Sequence, residues 1–285
     1  MTSAPVHLTG PAEDTRRAYH PTLSALRGAV ARSAELWRRI DKPDVAAPGL
    51  AWSAAETAAH VVGDLRDYTQ ALTRHAGGYM THANRQTESP SALSAKVNAR
   101  HLEEVPERDL PRLADMLEAA ADGYLNAAVT ADPSVDIATP NGLVIGPATM
   151  AALLLGEQLV HGLDIARTAK IAWPIAPADA FLVIPGVLTV APQYLRPNRA
   201  AGLHVSFELR MRGGPRYRMS VADGTAVITA AGDKADCAIT ADPVTFLLLG
   251  YGRIGQLSPV LRGQLRPGGR KPWLATKFGT LLDSP

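Results

Sequence analysis

Apolar residues in the first half of the chain recur at the spacing that places them along one side of a helix. This pattern predicts four long helices, with a shorter helix between the second and the third. The predicted helices cover about residues 14–40, 53–75, 91–104, 107–131 and 147–170. The second starts with a capping box, because Ser53 and Glu56 stand three residues apart in the sequence Ser-Ala-Ala-Glu. Four long helices joined by loops predict a helical bundle.

The periodicity changes to two in the second half of the chain. Apolar and polar residues alternate from Val205 to Met211, which predicts a strand with one buried face. Asp223-Gly224 marks a later turn and is typical of tight hairpins. The other predicted elements are strands at about 217–221, 227–228 and 237–240, a short helix from Pro243, and an earlier helix at about 179–194. We therefore predict two domains, a four-helix bundle over 1–173 and a small α+β domain with an antiparallel sheet over 174–285.

Composition narrows the class of protein. The formal net charge is +2, and the 29 lysines and arginines are spread without a long basic run, so neither nucleic acid nor a membrane is expected as a partner. The first 17 residues lack the apolar core of a signal peptide, and the longest uncharged apolar stretch, Gly142–Gly156, is shorter than the roughly 20 residues of a membrane span. The single cysteine, Cys237, lies in an apolar stretch and is interpreted as a packing residue in a reducing compartment. We expect a cytoplasmic protein.

The predicted helix at 147–170 carries the main chemical signal. It is apolar on almost all sides, so most of its surface is expected to be buried. Glu157, His161 and Asp164 nevertheless share one of its faces. Burying a carboxylate and an imidazole without partners is costly, and a metal ion would compensate both. Glu157 and His161 are one helical turn apart, so their side chains can reach the same ion.

A third ligand is predicted in the helix at 53–75. His60 lies opposite the apolar side of this helix, so it is either solvated or faces a cleft beside the helix at 147–170. A set of His60, Glu157 and His161 suits zinc and leaves one coordination position open. Asp64 and Asp164 are candidates for hydrogen-bond acceptors that orient the imidazoles. Each could equally form a helix salt bridge or lie on a solvated face.

Two motifs in these helices resemble a known family. They are Trp-Ser-x-x-Glu-x-x-x-His, from Trp52 to His60, and Gly-Glu-x-x-x-His-Gly-x-Asp, from Gly156 to Asp164. In this order they resemble the mycothiol-dependent maleylpyruvate isomerases, whose N-terminal domain belongs to the DinB-like metal-binding bundles. The second half resembles the sterol-carrier-protein-like α+β domain of these enzymes, and the stretch from Arg262 to Leu274 is similar to the end of that domain. The resemblance covers about residues 14–282.

The resemblance implies zinc, or another divalent metal, on His60, Glu157 and His161, with mycothiol as the thiol cofactor. It also implies a catalytic arginine after a leucine-rich helix and a glycine. Arg253 takes that place here, and Arg262 and Arg266 are alternatives. In the implied reaction a thiolate adds to an activated cis double bond, the bond rotates, and elimination returns the thiol and a trans product. A thiol S-transferase acting on another electrophile would use the same residues, so the expected partners are a low-molecular-weight thiol and an electrophilic or dicarboxylate substrate.

Two hypotheses in which the protein is not an enzyme remain open. In the first, the sterol-carrier-like half holds an apolar ligand and the bundle is structural; a long hydrophobic tunnel would favour it. In the second, the protein is a metal-binding regulator whose ion has no open coordination position. The presence of Glu157 and His161 within the most apolar helix argues against a purely structural bundle.

Overall fold

The computed structural model of the protein describes residues 9–76, 89–232 and 234–283. The helices are α1 (Pro11–Arg17), α2 (Tyr19–Trp37), α3 (Ala54–Ala76), α4 (Pro90–Glu104), α5 (Leu110–Thr130), α6 (Pro147–Thr168), α7 (Pro177–Val190), α8 (Pro197–Ala200), α9 (Pro243–Gly250), α10 (Leu257–Leu261) and α11 (Ala275–Leu281). The strands are β1 (Ile137–Ala138), β2 (Val144–Ile145), β3 (His204–Met211), β4 (Arg216–Ala222), β5 (Thr225–Ala230), β6 (Cys237–Ala241) and β7 (Leu265–Gly268).

The chain divides into two compact units. One is Ala18–Val183, and the other combines the segment that ends at Arg17 with the segment that begins at Ile184. The division falls within α7, while the domain boundary after residue 173 stays a prediction. Among the described residues, no helix is both long enough and apolar enough to cross a membrane.

The first unit is the predicted four-helix bundle. Helices α2, α3, α5 and α6 pack against one another, and α4 lies along α3. The helix predicted at 14–40 is instead two helices, because Ala18 takes non-helical backbone angles (φ −87°, ψ 5°) between α1 and α2. The short antiparallel pair β1 and β2 connects α5 to α6.

Local sequence signals set the helix starts in this bundle. The predicted capping box is confirmed: the backbone N–H of Ser53 donates to Oε2 of Glu56 (2.8 Å), and that of Glu56 donates to Oγ of Ser53 (3.2 Å). The helix predicted from residue 107 begins at Leu110, because Asp109 caps it by accepting the N–H of Arg112 (3.0 Å).

Helix α6 packs against α2 and α3 of the bundle. Four residues at its exposed edge are not fully buried, namely Glu157, Leu163, Arg167 and Thr168. All the other residues from Pro147 to Ala166 are buried, which confirms the prediction of a helix buried on most sides. A polar side chain on this helix therefore needs a partner from a neighbouring helix or a bound group.

The second unit is the predicted α+β domain. Its sheet has the strand order β5-β4-β3-β6-β7, and every neighbouring pair is antiparallel except β3 and β6. The predicted alternation is confirmed from Phe207 to Met211, where Phe207, Leu209 and Met211 are buried. It fails at the start of the strand, because Ser206 is buried and Val205 only partly so. Asp223 and Gly224 both have positive φ angles (49° and 77°), as a tight hairpin turn between β4 and β5 requires.

Candidate metal centre

Three side chains from two helices of the bundle converge on one point. His60 comes from α3, and Glu157 and His161 come from α6. Nε2 of His161 lies 3.0 Å from Oε2 of Glu157, and Nε2 of His60 lies 3.5 Å from the same oxygen. Ligand atoms held at about 2.0–2.2 Å from one tetrahedral ion lie about 3.3–3.6 Å apart. The structure therefore brings all three predicted ligands within 4.8 Å of one another. The contact with His60 has the spacing of two ligands on one ion, and the contact with His161 is a hydrogen bond that an ion would lengthen slightly.

The packing of α3 against α6 decides where His60 points. Its side chain is only 5% exposed and faces α6, so it is not solvated. The ring of Trp52 lies 5.1 Å from the ring of His60, and the ring of His161 meets it edge-on at 5.2 Å. Of the two positions left open by the sequence, His60 takes the one beside α6.

The two candidate acceptors occupy different places around the cluster. Asp164 is fully buried, and its Oδ2 lies 3.1 Å from Nδ1 of His161, where it leaves Nε2 directed at Glu157. Oδ2 of Asp64 instead lies 3.4 Å from Nε2 of His60, beside the ligand atom. Asp64 is therefore placed as a candidate additional ligand rather than as the acceptor behind His60.

Nδ1 of His60, the ring nitrogen that faces away from Glu157, contacts a residue that the sequence analysis did not identify. His101 of α4 is fully buried, with its Nδ1 3.1 Å from Nδ1 of His60 and its Nε2 3.0 Å from Oδ2 of Asp67. It forms a second group of metal-ligand type with His60 and Asp64. The one local signal is Gly63, where a Cβ atom would overlap the His101 ring. Glycine is unfavourable inside a helix by about 1 kcal/mol, so its presence in α3 hints at a close neighbour.

Electrostatics set the protonation preferences of the cluster. Burial would raise the pKa of Glu157, but its close contacts with His161 and His60 hold that pKa well below its ordinary range. Burial would likewise lower the pKa of His161, but the contacts with Asp164 and Glu157 raise it to about 9. The pKa of Asp64 is raised, first by burial and further by the negative charge of Glu157, against the opposing effect of the histidines.

The donor set fits a divalent cation. The carboxylates of Asp64, Glu157 and Asp164 surround His60 and His161. Asp164 and both histidines are buried, and Asp64 and Glu157 are partly exposed. An uncompensated buried charge costs several kcal/mol, so these acidic groups need positive charge nearby. The raised pKa of His161 supplies one positive charge to the metal-free cluster, and a divalent cation would take its place. Two imidazole nitrogens and a carboxylate are ligands that zinc accepts.

Comparison with known proteins identifies the family. The sequence profile described as "Mycothiol maleylpyruvate isomerase N-terminal domain" matches residues 13–166, more than half of the chain. The chain belongs to this family. The matched segment contains all three predicted ligands. No curated protein sequence matches this chain at a significant level.

Solved structures show the same fold in this family. The crystal structure of the mycothiol-dependent maleylpyruvate isomerase has a TM-score of 0.57 with 11% identity, over 88% of this chain and 92% of that chain. A point mutant of that enzyme has a TM-score of 0.56 with 10% identity and the same coverage. At this low identity, the likeness shows that the two chains share a fold over most of their lengths.

The other candidate residues lie in the second unit. Arg253 follows α9 and is half-buried, and its Nη1 donates to the carbonyl oxygen of Tyr251 (2.6 Å). Arg262 and Arg266 are exposed. The catalytic role of Arg253 stays a prediction. Cys237 is fully buried, and burial raises the pKa of its thiol, which agrees with a packing role.

Proposed function

We propose that this protein is a zinc-dependent enzyme that uses a low-molecular-weight thiol, mycothiol, to act on a small electrophile. The proposed reaction is a cis–trans isomerisation of the maleylpyruvate type, or the transfer of the thiol to another electrophile. The observation that carries the proposal is the convergence of His60, Glu157 and His161 in a buried cluster of a chain from this family. The names of the two solved relatives support the choice of thiol and substrate class.

Each side chain of the proposed site has a separate role in this reaction. His60 and His161 would hold the ion through Nε2, and Glu157 would hold it through a carboxylate oxygen. A bound divalent cation lowers the pKa of a coordinated thiol, so that the thiolate is present at neutral pH. Asp164 accepts the Nδ1 proton of His161 and fixes that ring. Arg253 is proposed to bind substrate carboxylates through its two-pronged guanidinium, which suits planar anions. A cytoplasmic location, where thiols stay reduced, agrees with this chemistry.

A thiol-dependence assay tests this proposal. Zinc-loaded protein is given a cis-dicarboxylate of maleylpyruvate type with and without mycothiol, and loss of the substrate absorbance is followed. We expect conversion only when both zinc and the thiol are present. Free thiol measured before and after separates the two reactions, because isomerisation returns the thiol and transfer consumes it. Conversion at the same rate without thiol would contradict the proposal.

Substitution of the arginines identifies the one that contacts substrate. Arg253→Gln is expected to lower kcat/KM by about 100-fold, because the substituted side chain loses a charge-assisted bidentate contact. The same substitution at Arg262 and at Arg266 provides matched controls and should change kcat/KM little. A large loss at one of these and none at Arg253 would reassign the role.

A cavity in the second unit favours apolar-ligand binding as a second candidate function. It has a volume of about 350 Å³ and is lined mostly by apolar side chains, among them Leu188, Ile239, Phe246, Leu249 and Phe278. This volume lies in the range of small-molecule sites. Native mass spectrometry of protein purified without detergent would detect a retained apolar ligand, and Leu249→Trp should reduce its occupancy by filling the space. Protein free of such a ligand, and unable to bind a fluorescent fatty acid, would contradict this function.

A further inference from the structure

We propose that His101 and Asp67 are positioning residues that fix the tautomer of His60, so that the lone pair of its Nε2 faces the metal position. This inference rests on the proposed metal site. His101 and Asp67 lie outside the three predicted ligands and outside both motifs that carry the family resemblance.

A chain of hydrogen bonds runs from Asp67 through His101 to His60. Asp67 is its first member because an ionised carboxylate can only accept hydrogen bonds. Its Oδ2 receives Nη2 of Arg100 at 2.6 Å and lies 3.0 Å from Nε2 of His101. Burial would raise the pKa of Asp67, but hydrogen bonds from His101 and Arg100 lower it, so the carboxylate stays ionised. The contact with His101 is therefore an N–H donated by Nε2 of the imidazole.

The tautomer of His101 determines the tautomer of His60. A neutral imidazole carries one ring proton, and the contact with Asp67 places it on Nε2 of His101. Nδ1 of His101 is then an acceptor, and the only ring nitrogen within hydrogen-bond distance of it in the described contacts is Nδ1 of His60, at 3.1 Å. When both rings are neutral, His60 donates from Nδ1, which leaves the lone pair on its Nε2. That nitrogen lies 3.5 Å from Oε2 of Glu157, at the metal position.

Asp64, the alternative partner of His101, is too far away to interrupt this chain of hydrogen bonds. Oδ1 of Asp64 lies 3.8 Å from Nδ1 of His101, which is beyond hydrogen-bond distance. The ring of His101 is held in place by its full burial and by the absence of a side chain at Gly63, where a Cβ would overlap it. Both proposed histidine ligands thus have a fixed outer nitrogen. His161 uses Asp164 directly, whereas His60 uses Asp67 through His101.

Two substitutions at His101 separate positioning from packing. His101→Phe keeps the ring shape and removes both nitrogens, whereas His101→Asn loses volume but keeps an acceptor near the position of Nδ1. Zinc affinity is measured in the full-length protein by competition with a chromophoric chelator. We expect His101→Phe to weaken zinc binding by about 10–100-fold, the usual effect of losing an outer-shell partner. We expect His101→Asn to recover most of this loss, which a packing role would not allow because phenylalanine fills the site better.

A second measurement needs no variant. Two-bond ¹⁵N–¹H correlation spectra of the zinc-loaded wild-type protein report which nitrogen of each imidazole carries its proton. We expect Nδ1–H for His60 and Nε2–H for His101. His20→Phe, at an exposed position of α2, is the control for loss of a histidine and should leave zinc affinity unchanged.

Several outcomes would overturn the inference. They are zinc affinity in His101→Phe equal to that of the wild type, a proton on Nδ1 of His101 in the zinc-loaded protein, and a second zinc equivalent that His101→Phe removes. The last result would make His101 a ligand of its own ion with His60 and Asp64. If the wild type itself bound no divalent cation, the proposed function would fail as well, so the two failures are distinguishable.

Discussion

Replacing His161 with alanine is expected to abolish stoichiometric zinc in the purified protein. The wild type should carry about one equivalent, since the cluster offers two imidazole nitrogens and a carboxylate oxygen within reach of one ion. Loss of an outer-shell partner costs about 10–100-fold in metal affinity, so the loss of a direct ligand should cost more. Elemental analysis of protein purified without a metal-affinity tag measures this directly.

The control for this experiment must remove a histidine without touching the cluster. His20→Ala, at an exposed position of α2, should retain the full zinc content. Glu157→Gln should lose zinc as His161→Ala does, because the neutral amide is a poorer ligand and leaves the charges of the cluster unbalanced. Wild-type protein that takes up no zinc, even after incubation with the ion, would remove the basis of the enzyme proposal and favour apolar-ligand binding by the second unit.

A second large effect is expected at Gly162, the residue after the proposed ligand His161. A Cβ atom at this position would overlap the indole ring of Trp173. That ring is tied down, since its Nε1 donates to the carbonyl oxygen of Leu159 (2.9 Å) and the guanidinium of Arg32 stacks on it at 5.1 Å. Displacing it costs about 1–3 kcal/mol for overpacking and about 1 kcal/mol for the hydrogen bond. Alanine is intrinsically better than glycine in a helix by about 1 kcal/mol, so Gly162→Ala should destabilise the protein by roughly 1–3 kcal/mol.

The effect of Gly162→Ala on the free energy of unfolding should change sign when the indole is absent. A Trp173→Ala background removes the three atoms that the added methyl group would meet first, so the helix propensity of alanine should dominate. Gly162→Ala should then be neutral or stabilise the protein by up to about 1 kcal/mol. Urea unfolding of the four proteins in this cycle, in the presence of a metal chelator, measures the coupling apart from zinc binding. Equal destabilisation in both backgrounds would show that the cost of a side chain at position 162 does not come from Trp173.

Much of the bundle could be predicted from residues close in sequence. The capping box at Ser53 and Glu56 acts within one helical turn, and the structure contains both of its hydrogen bonds. The apolar pattern of α6 predicted its burial, and the one-turn spacing of Glu157 and His161 predicted their shared face. The predicted continuous helix at 14–40 was wrong, because the apolar periodicity runs through Ala18 while the backbone turns there.

The contacts that the candidate site residues make with other helices could not be predicted from local spacing. The spacing within α3 left His60 with two environments, and the packing of α6 against α3 chose one of them. His101 has no motif of its own, and its role depends on α4 lying along α3 at the position of Gly63. In the second unit, the sequence predicted β3 to β6 but not β7, and the parallel pairing of β3 with β6 depends on the path of the chain between them.

The sequence by itself determined the helical bundle, the strands β3 to β6 of the second unit and the three candidate ligands. These follow from side-chain spacing along one helix or strand, which is a local property, and from motifs that resemble one family. Only the tertiary structure decided that His60 faces Glu157, that Asp64 lies beside the ligand atoms and that His101 links His60 to Asp67. These contacts join residues of separate helices, so they are set by how the helices pack and not by the pattern within any one of them.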